Sequence, residues 1–324
     1  KIIRNPWFGM QDRLQLDKVD VGVGRFTVTT AAQAKEVVDK VEAYMNNDHA
    51  GAWKNTILML GDDGDGNRHM GDAEFVAQML EAEYPDYMVK RIYWDAFPME
   101  FSSTGNSYPA VRKRLLELFN DGALMVNYSG HGAPDVISHE LVINKTDMEE
   151  LSSPRLPVWV TVSCDITPFD NSVQSFGESA FLNPKGGAIG LLTSTRTTYA
   201  EYNRRINYFF SKYVFAREAD GSRMSLGDAL RMAKCSLITT DNPSLSDEWD
   251  RNNKLNYVLI GDPALIVGNT DYRMVVDELN GIPVGQADEM LLKAGAEVSV
   301  RGHVETLGDV SATDFSGVLY ASVF

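Results

Sequence analysis

Between residues 54 and 265 the chain switches repeatedly between short apolar runs and amphipathic stretches, and that alternation limits the folds open to it. The runs are TILML at 56–60, residues 87–96, ALMVNY at 123–128, PVWVTVS at 157–163, GAIGLLTS at 187–194 and residues 255–260. Most are apolar throughout, rich in β-branched or aromatic residues and bounded by Gly or Pro, which reads as strands covered on both faces. Between them apolar residues recur at helical spacing, as with Phe75, Val76, Met79 and Leu80 in 73–84. Pro109 opens a helix in AVRKRLLELF, longer helices are expected at 201–215 and 226–237, and shorter ones near 147–151 and 176–182. This predicts an α/β/α sandwich with a mostly parallel sheet, whose reactive groups gather at the carboxyl ends of the strands.

The flanks differ. Residues 1–53 carry a strand with a turn at 21–26 and a helix at 31–44, and are expected to end an N-terminal α/β lobe. Residues 54–268 are expected to form the domain that carries the site. From 269 to 324 helical periodicity gives way to strands at 298–300 and 317–324, expected as the start of a truncated, immunoglobulin-like β-sandwich. No stretch approaches the roughly 18 apolar residues of a membrane-spanning helix. No charged-then-apolar leader precedes Ile2, so any export signal is expected to have been removed or to lie upstream. Thirty Lys and Arg against 45 Asp and Glu give a net charge of −15, which sets nucleic acid aside as a partner. Cys164 and Cys235, the only cysteines, leave the redox compartment undetermined.

Two strand ends carry the chemistry. The run at 123–128 leads into Ser129-Gly130-His131-Gly132, and the run at 157–163 leads into Cys164-Asp165. If the two strands are neighbours, His131 and Cys164 meet on one rim. There an imidazole can take the thiol proton and make a thiolate nucleophile. The N–H groups of Gly132 and Cys164 are then candidate oxyanion donors. Taken singly, Cys164 also reads as a small buried hydrophobe and His131 as a polar loop residue. Asp62 and Asp63 are candidates for a third carboxylate that orients the imidazole. The same loop, Asp62 to Asn67, also reads as a structural Ca2+ site or as a solvated acidic turn. It departs from the EF-hand pattern because Arg68 stands at the glycine position. No cofactor is expected beyond that candidate structural Ca2+.

Other features carry less. Gly66 to Asp72 has the glycine spacing of a phosphate-binding loop but Asp72 in place of Lys, Gly22-Val23-Gly24 lacks a third glycine, and no GxSxG elbow occurs. His69 and His139 are expected on the surface, Cys235 in core packing, and Gly261-Asp262-Pro263 in a strand-to-loop turn.

VNYSGHG at 126–132, the cysteine thirty-three residues after its histidine, and VLIGDPAL at 258–265 resemble the motifs of the gingipain family of cysteine peptidases. Within that family SFGESAFLNPKGGAIGLLTSTR at 175–196 and DVGVGRF at 20–26 are most similar to the branch that serves as signal peptidase and sortase of type IX secretion. The resemblance implies a caspase-like fold, Cys164 as nucleophile, His131 as general base and acid, and a thioester acyl-enzyme. It further implies secreted cargo with C-terminal sorting domains as substrate, other secretion components as partners, an anionic lipopolysaccharide as acceptor, and the outer-membrane cell surface as location. Two departures from the family pattern flank the site: Ser163-Cys164-Asp165-Ile166 replaces a TCxF-like sequence, and no Trp follows the Gly-His-Gly. A secreted gingipain-like protease of broader range and a catalytically silent scaffold are the competing readings.

Overall fold

Six strands build one sheet: β1 (Thr56–Gly61), β2 (Met88–Tyr93), β3 (Met125–Ser129), β4 (Val158–Val162), β5 (Gly190–Ser194) and β6 (Tyr257–Ile260). The structure, a computed structural model, describes residues 18–103, 105–218, 221–237, 253–268, 272–284, 295–306, 311–313 and 315–316. In space the order is β6-β5-β4-β3-β1-β2. Every neighbouring pair is parallel except β5 and β6, which run antiparallel with Leu191 opposite Ile260.

The helices are α1 (Ala31–Met45), α2 (Gly64–Glu83), α3 (Pro109–Asp121), α4 (Lys145–Glu150), α5 (Phe176–Leu182), α6 (Ala200–Phe215) and α7 (Leu226–Ser236). Successive strand residues face opposite sides of a sheet. Ile57, Met59, Val158 and Val160 accordingly pack with Val76 of α2, Phe210 of α6 and Ala229 of α7. Leu58, Leu60, Val126 and Trp159 pack on the other side with Leu115 of α3 and Phe181 of α5. β1, β3, β4 and β5 are buried throughout, so they read as largely apolar runs, whereas the edge strand β2 is half-buried.

The expected helix at 73–84 starts earlier, at Gly64, but across a break. Asp65, Gly66 and Asn67 hold φ of 55°, 67° and 67°, the left-handed region, before regular helix resumes. Asp, Asn and Gly are the residues that tolerate that region, and no helical periodicity marks it.

Several family-like elements have plain structural reasons. Ser175 and Glu178 form a reciprocal capping box that starts α5. The Asn183 amide donates to the carbonyls of Met148 and Leu151 at 2.8 and 2.7 Å. Lys40 donates to those of Phe181, Asn183 and Gly186, while burial lowers its pKa to about 7. Along β6, Arg25 adds one parallel bridge to Ile260, donating its N–H to Leu259 and accepting from Gly261. A Cβ on Gly24 would stand 2.2 Å from the Gly261 carbonyl, and one on Gly22 would stand 2.6 Å from Gly227. The GVG and GDP elements are thus two sides of one close backbone approach.

By contacts the chain divides into Lys1–Gly268 and Asn269–Phe324. The second unit contains a three-stranded antiparallel sheet with Tyr272–Leu279 between Ile282–Pro283 and Val300–Thr306. The strand expected at 317–324 lies outside the described residues.

Gly24→Ala is expected to cost about 1–3 kcal/mol, the usual range for forcing an extra methyl into closed packing. Urea unfolding of the two chains measures it; an unchanged midpoint would refute the close-approach account.

Candidate active site

Strands β3 and β4 are adjacent and parallel, with Ser129 opposite Val162, so the chain leaves both at the same end of the sheet. Just past those ends stand His131 on one side and Cys164 on the other. Both line a cleft of about 490 Å3 together with Asp65, Arg68, His69, Thr198 and Glu201.

The His131 loop is fixed from below by Asp62, which is 1% exposed at the end of β1. Its carboxylate accepts the N–H of Gly64 at 2.8 Å and that of His131 at 3.2 Å, and the Tyr128 hydroxyl lies 3.3 Å away. Tyr128 also donates to the His131 carbonyl at 2.7 Å. Burial, with the Asp62 charge adding to it, holds the Tyr128 phenol well above its ordinary pKa, so it stays a donor. The glycines are sterically required. A Cβ on Gly130 would lie 2.2 Å from the Tyr128 hydroxyl, and one on Gly132 would lie 2.4 Å from Ile166.

The imidazole of His131 has its own surroundings. Its Nε2 lies 3.4 Å from the carboxylate of Asp65. His139, exposed as expected, stacks on the ring with centroids 4.1 Å apart, and His69 meets it edge-on at 4.8 Å. Of the sequence candidates for the orienting carboxylate, Asp62 holds the main chain of His131, and Asp63 accepts from the Tyr108 hydroxyl. The carboxylate beside the imidazole itself is Asp65. Sequence reasoning passed over it, although Asp65 and His69 stand four apart, the spacing of one helical face.

Cys164 stands above a network of buried hydroxyls. Thr161 donates to Thr193 at 2.8 Å, Ser194 to the Ser163 carbonyl at 2.5 Å, and Thr198 to the same carbonyl at 3.1 Å. Asp165 takes a φ of 50° and donates its N–H to Arg196, so the chain turns sharply just past the cysteine. The thiol donates to the Thr198 carbonyl at 3.1 Å and accepts the Thr198 N–H at 3.4 Å. Among the described residues the Cys164 N–H donates to no acceptor, as an oxyanion donor requires. Gly132 lies in a short pairing with Ile137, against Ser163 and Ile166.

Two expectations are corrected. His69 is buried, 4% exposed, because α2 begins before the expected helix and turns that ring toward His131. Burial first, and the His131 charge second, lower its pKa. Cys235 is partly exposed, its thiol 3.6 Å from the Val19 carbonyl, rather than packed in the core. The carboxylates of Asp62, Asp63 and Glu140 lie within 4.8 Å of one another, a hard-oxygen set of the kind Ca2+ takes. Each already accepts a hydrogen bond, Glu140 from the Ser138 hydroxyl.

The model of peptidase family C25 matches residues 3–268. Among solved structures, the Arg-specific cysteine proteinase gingipain R superposes with a TM-score of 0.61 at 18% identity, covering 79% of this chain and 58% of that one. The complex of Porphyromonas gingivalis RgpB pro- and mature domains gives 0.61 at 17% identity, covering 79% and 60%. At these identities the likeness shows the fold, a caspase-like α/β sandwich, and the chain spans about three fifths of each of those chains. Dimeric latent PorU from Porphyromonas gingivalis matches at a TM-score of 0.24 and 12% identity over 81% of this chain and 34% of that one, which carries no argument. No curated protein matches in sequence.

Asp62→Ala would leave the part-buried N–H groups of Gly64 and His131 without their acceptor, and is expected to lower stability by about 1–3 kcal/mol. Asp62→Asn, which keeps acceptor oxygen, should lose less. Equal unfolding midpoints for Asp62→Ala and the unsubstituted chain would overturn the anchoring role.

Proposed function

The chain belongs to peptidase family C25 and is a cysteine peptidase, and from that premise we propose that it cleaves through a Cys164–His131 dyad. The observation that carries this reading is the exit of both residues from adjacent parallel strands into one cleft. With Asp65 on the Nε2 side of the imidazole, Nδ1 is the nitrogen left for the thiol proton.

His131 takes the proton of Cys164, and the thiolate attacks the scissile carbonyl to form an S–C bond. The oxyanion is held by the N–H groups of Cys164 and Gly132. Collapse breaks the C–N bond, His131 returns the proton to the leaving amine, and a thioester remains. Water or an amine then resolves it. In the resting arrangement the thiol bonds to Thr198, so the attack geometry is completed on substrate binding, as is common in apo sites.

For the biological role we infer a PorU-like one: removal of the C-terminal sorting domain from type IX secretion cargo at the cell surface. An anionic lipopolysaccharide amine would be one acceptor. The support is the run at 175–196 with the DVGVGRF segment, both of which shape the scaffold rather than the cleft. Among the described residues no helix is long and apolar enough to cross a membrane.

Cys164→Ala is expected to abolish cleavage while leaving the thermal unfolding midpoint within a few degrees. Cleavage confined to a few positions in cargo linkers supports the sortase role, and cleavage at many sites supports a broader protease. Alkylation of Cys164, followed by mass spectrometry with Cys235 as internal control, should be faster than that of Cys235. It should slow sharply in His131→Ala. Labelling no faster than that of Cys235 in denaturant would favour the silent scaffold.

A further inference from the structure

His69 is the least explained polar group beside the cleft. Its ring is 4% exposed, and its Nε2 is fully buried without a hydrogen-bond partner. A buried nitrogen lone pair or N–H left unmatched costs free energy, and most such groups find partners. The atom nearest in charge is the Asp65 carboxylate, 3.4 Å away, and that oxygen is also 3.4 Å from the Nε2 of His131. Neither contact is aligned as a hydrogen bond.

Those separations fit another chemistry. Nitrogen and oxygen ligands about 2.0–2.1 Å from a tetrahedral zinc ion stand about 3.3–3.4 Å apart. One ligand atom from each of Asp65, His69 and His131 lies within 4.8 Å of the other two. Two imidazoles and one carboxylate form a donor set that suits zinc and neighbouring divalent ions in preference to Ca2+ or Mg2+.

We propose that Asp65, His69 and His131 form a binding site for a divalent transition-metal ion, zinc above all, that holds the peptidase inactive. Two backbone features prepare it. The left-handed turn at 65–67 brings the Asp65 carboxylate back over the start of α2, on the same side as His69. Asp62, through the His131 main chain, fixes the ring across from them. Asp65 is 56% exposed, which leaves the fourth position open toward the cleft for water. His139 stacks on the ring of His131 and supplies no ligand atom to the cluster.

The consequence for catalysis is direct. With a metal on Nε2, the neutral imidazole carries its proton on Nδ1 and cannot take another from Cys164. Chelation frees the lone pair. This consequence rests on the role proposed for His131; the binding site does not.

Zinc chloride titrated calorimetrically into the full chain, in a phosphine reductant, should bind with one equivalent at micromolar affinity or better. His69→Gln and Asp65→Asn should each weaken binding at least about tenfold, as loss of a ligand or its support does. Asp65 holds a φ of 55°, where Asn is well tolerated, so Asp65→Asn keeps the test sound if His69→Gln misfolds. Cys164→Ala should bind as tightly as the unsubstituted chain. Cobalt(II) in place of zinc should show visible ligand-field bands without a sulfur-to-cobalt charge-transfer band. Absence of binding, unchanged affinity in both ligand variants, or a charge-transfer band lost in Cys164→Ala would overturn the site; the last would mean that the thiol and His131 take the metal instead. Zinc should also slow Cys164 alkylation, reversibly on chelation. If zinc binds at the three residues but leaves alkylation unchanged, the inactivating role fails together with His131 as base, while the metal site stands.

Discussion

A single buried carboxylate organises the catalytic end of this sheet. Asp62 closes β1 and, from one side chain, bonds the start of α2 and the loop after β3. A carboxylate with almost no exposure is tolerable only where donors surround it, and two main-chain N–H groups with the Tyr128 hydroxyl supply them. Gly130 obeys the same constraint, since a Cβ there would meet Tyr128 and Asp62 together, whereas Gly132 is fixed by Ile166 and Ser163. Because Asp62 holds the backbone rather than the ring, the imidazole keeps both nitrogens for other groups.

On the cysteine side the support is a ladder of hydroxyls instead of a charge. Thr161, Thr167, Thr193, Ser194 and Thr198 bond to one another or to the Ser163 carbonyl beneath the nucleophile. The two halves of the proposed dyad thus rest on independent foundations, one ionic and one neutral. The departures from the family pattern fall at this join. Asp165 adopts the left-handed turn after the nucleophile, and Ile166 fills the space against Gly132.

Most of the sheet was legible because β1, β3, β4 and β5 are buried along their whole length, so each shows as a largely apolar run. The shared cleft of His131 and Cys164 was legible because the Gly-His-Gly and the cysteine each come directly after such a run. The start of α2 was not, since Asp65, Gly66 and Asn67 break helical spacing while the chain still coils. That one irregularity hid both Asp65 and the burial of His69. The GE, NP and GVG elements were visible as likenesses, but their causes are a capping box, a side-chain amide bridging two carbonyls, and contact between distant backbones. None of those is written in local periodicity.

The two rims of the sheet are guarded by different means. β2 carries Lys90 and Arg91, and Arg91 is held by Glu74 and Glu81 at 2.7 Å each, so that rim presents charge to any strand that approaches. β6 relies instead on the chain's own N-terminal segment, through the bridge from Arg25. A protease cut between Arg25 and α1 would therefore do more than trim a peripheral strand. It would uncover the Leu259 carbonyl and the Gly261 N–H that Arg25 pairs, and a second molecule could add to that edge, turning a local nick into a route to self-association.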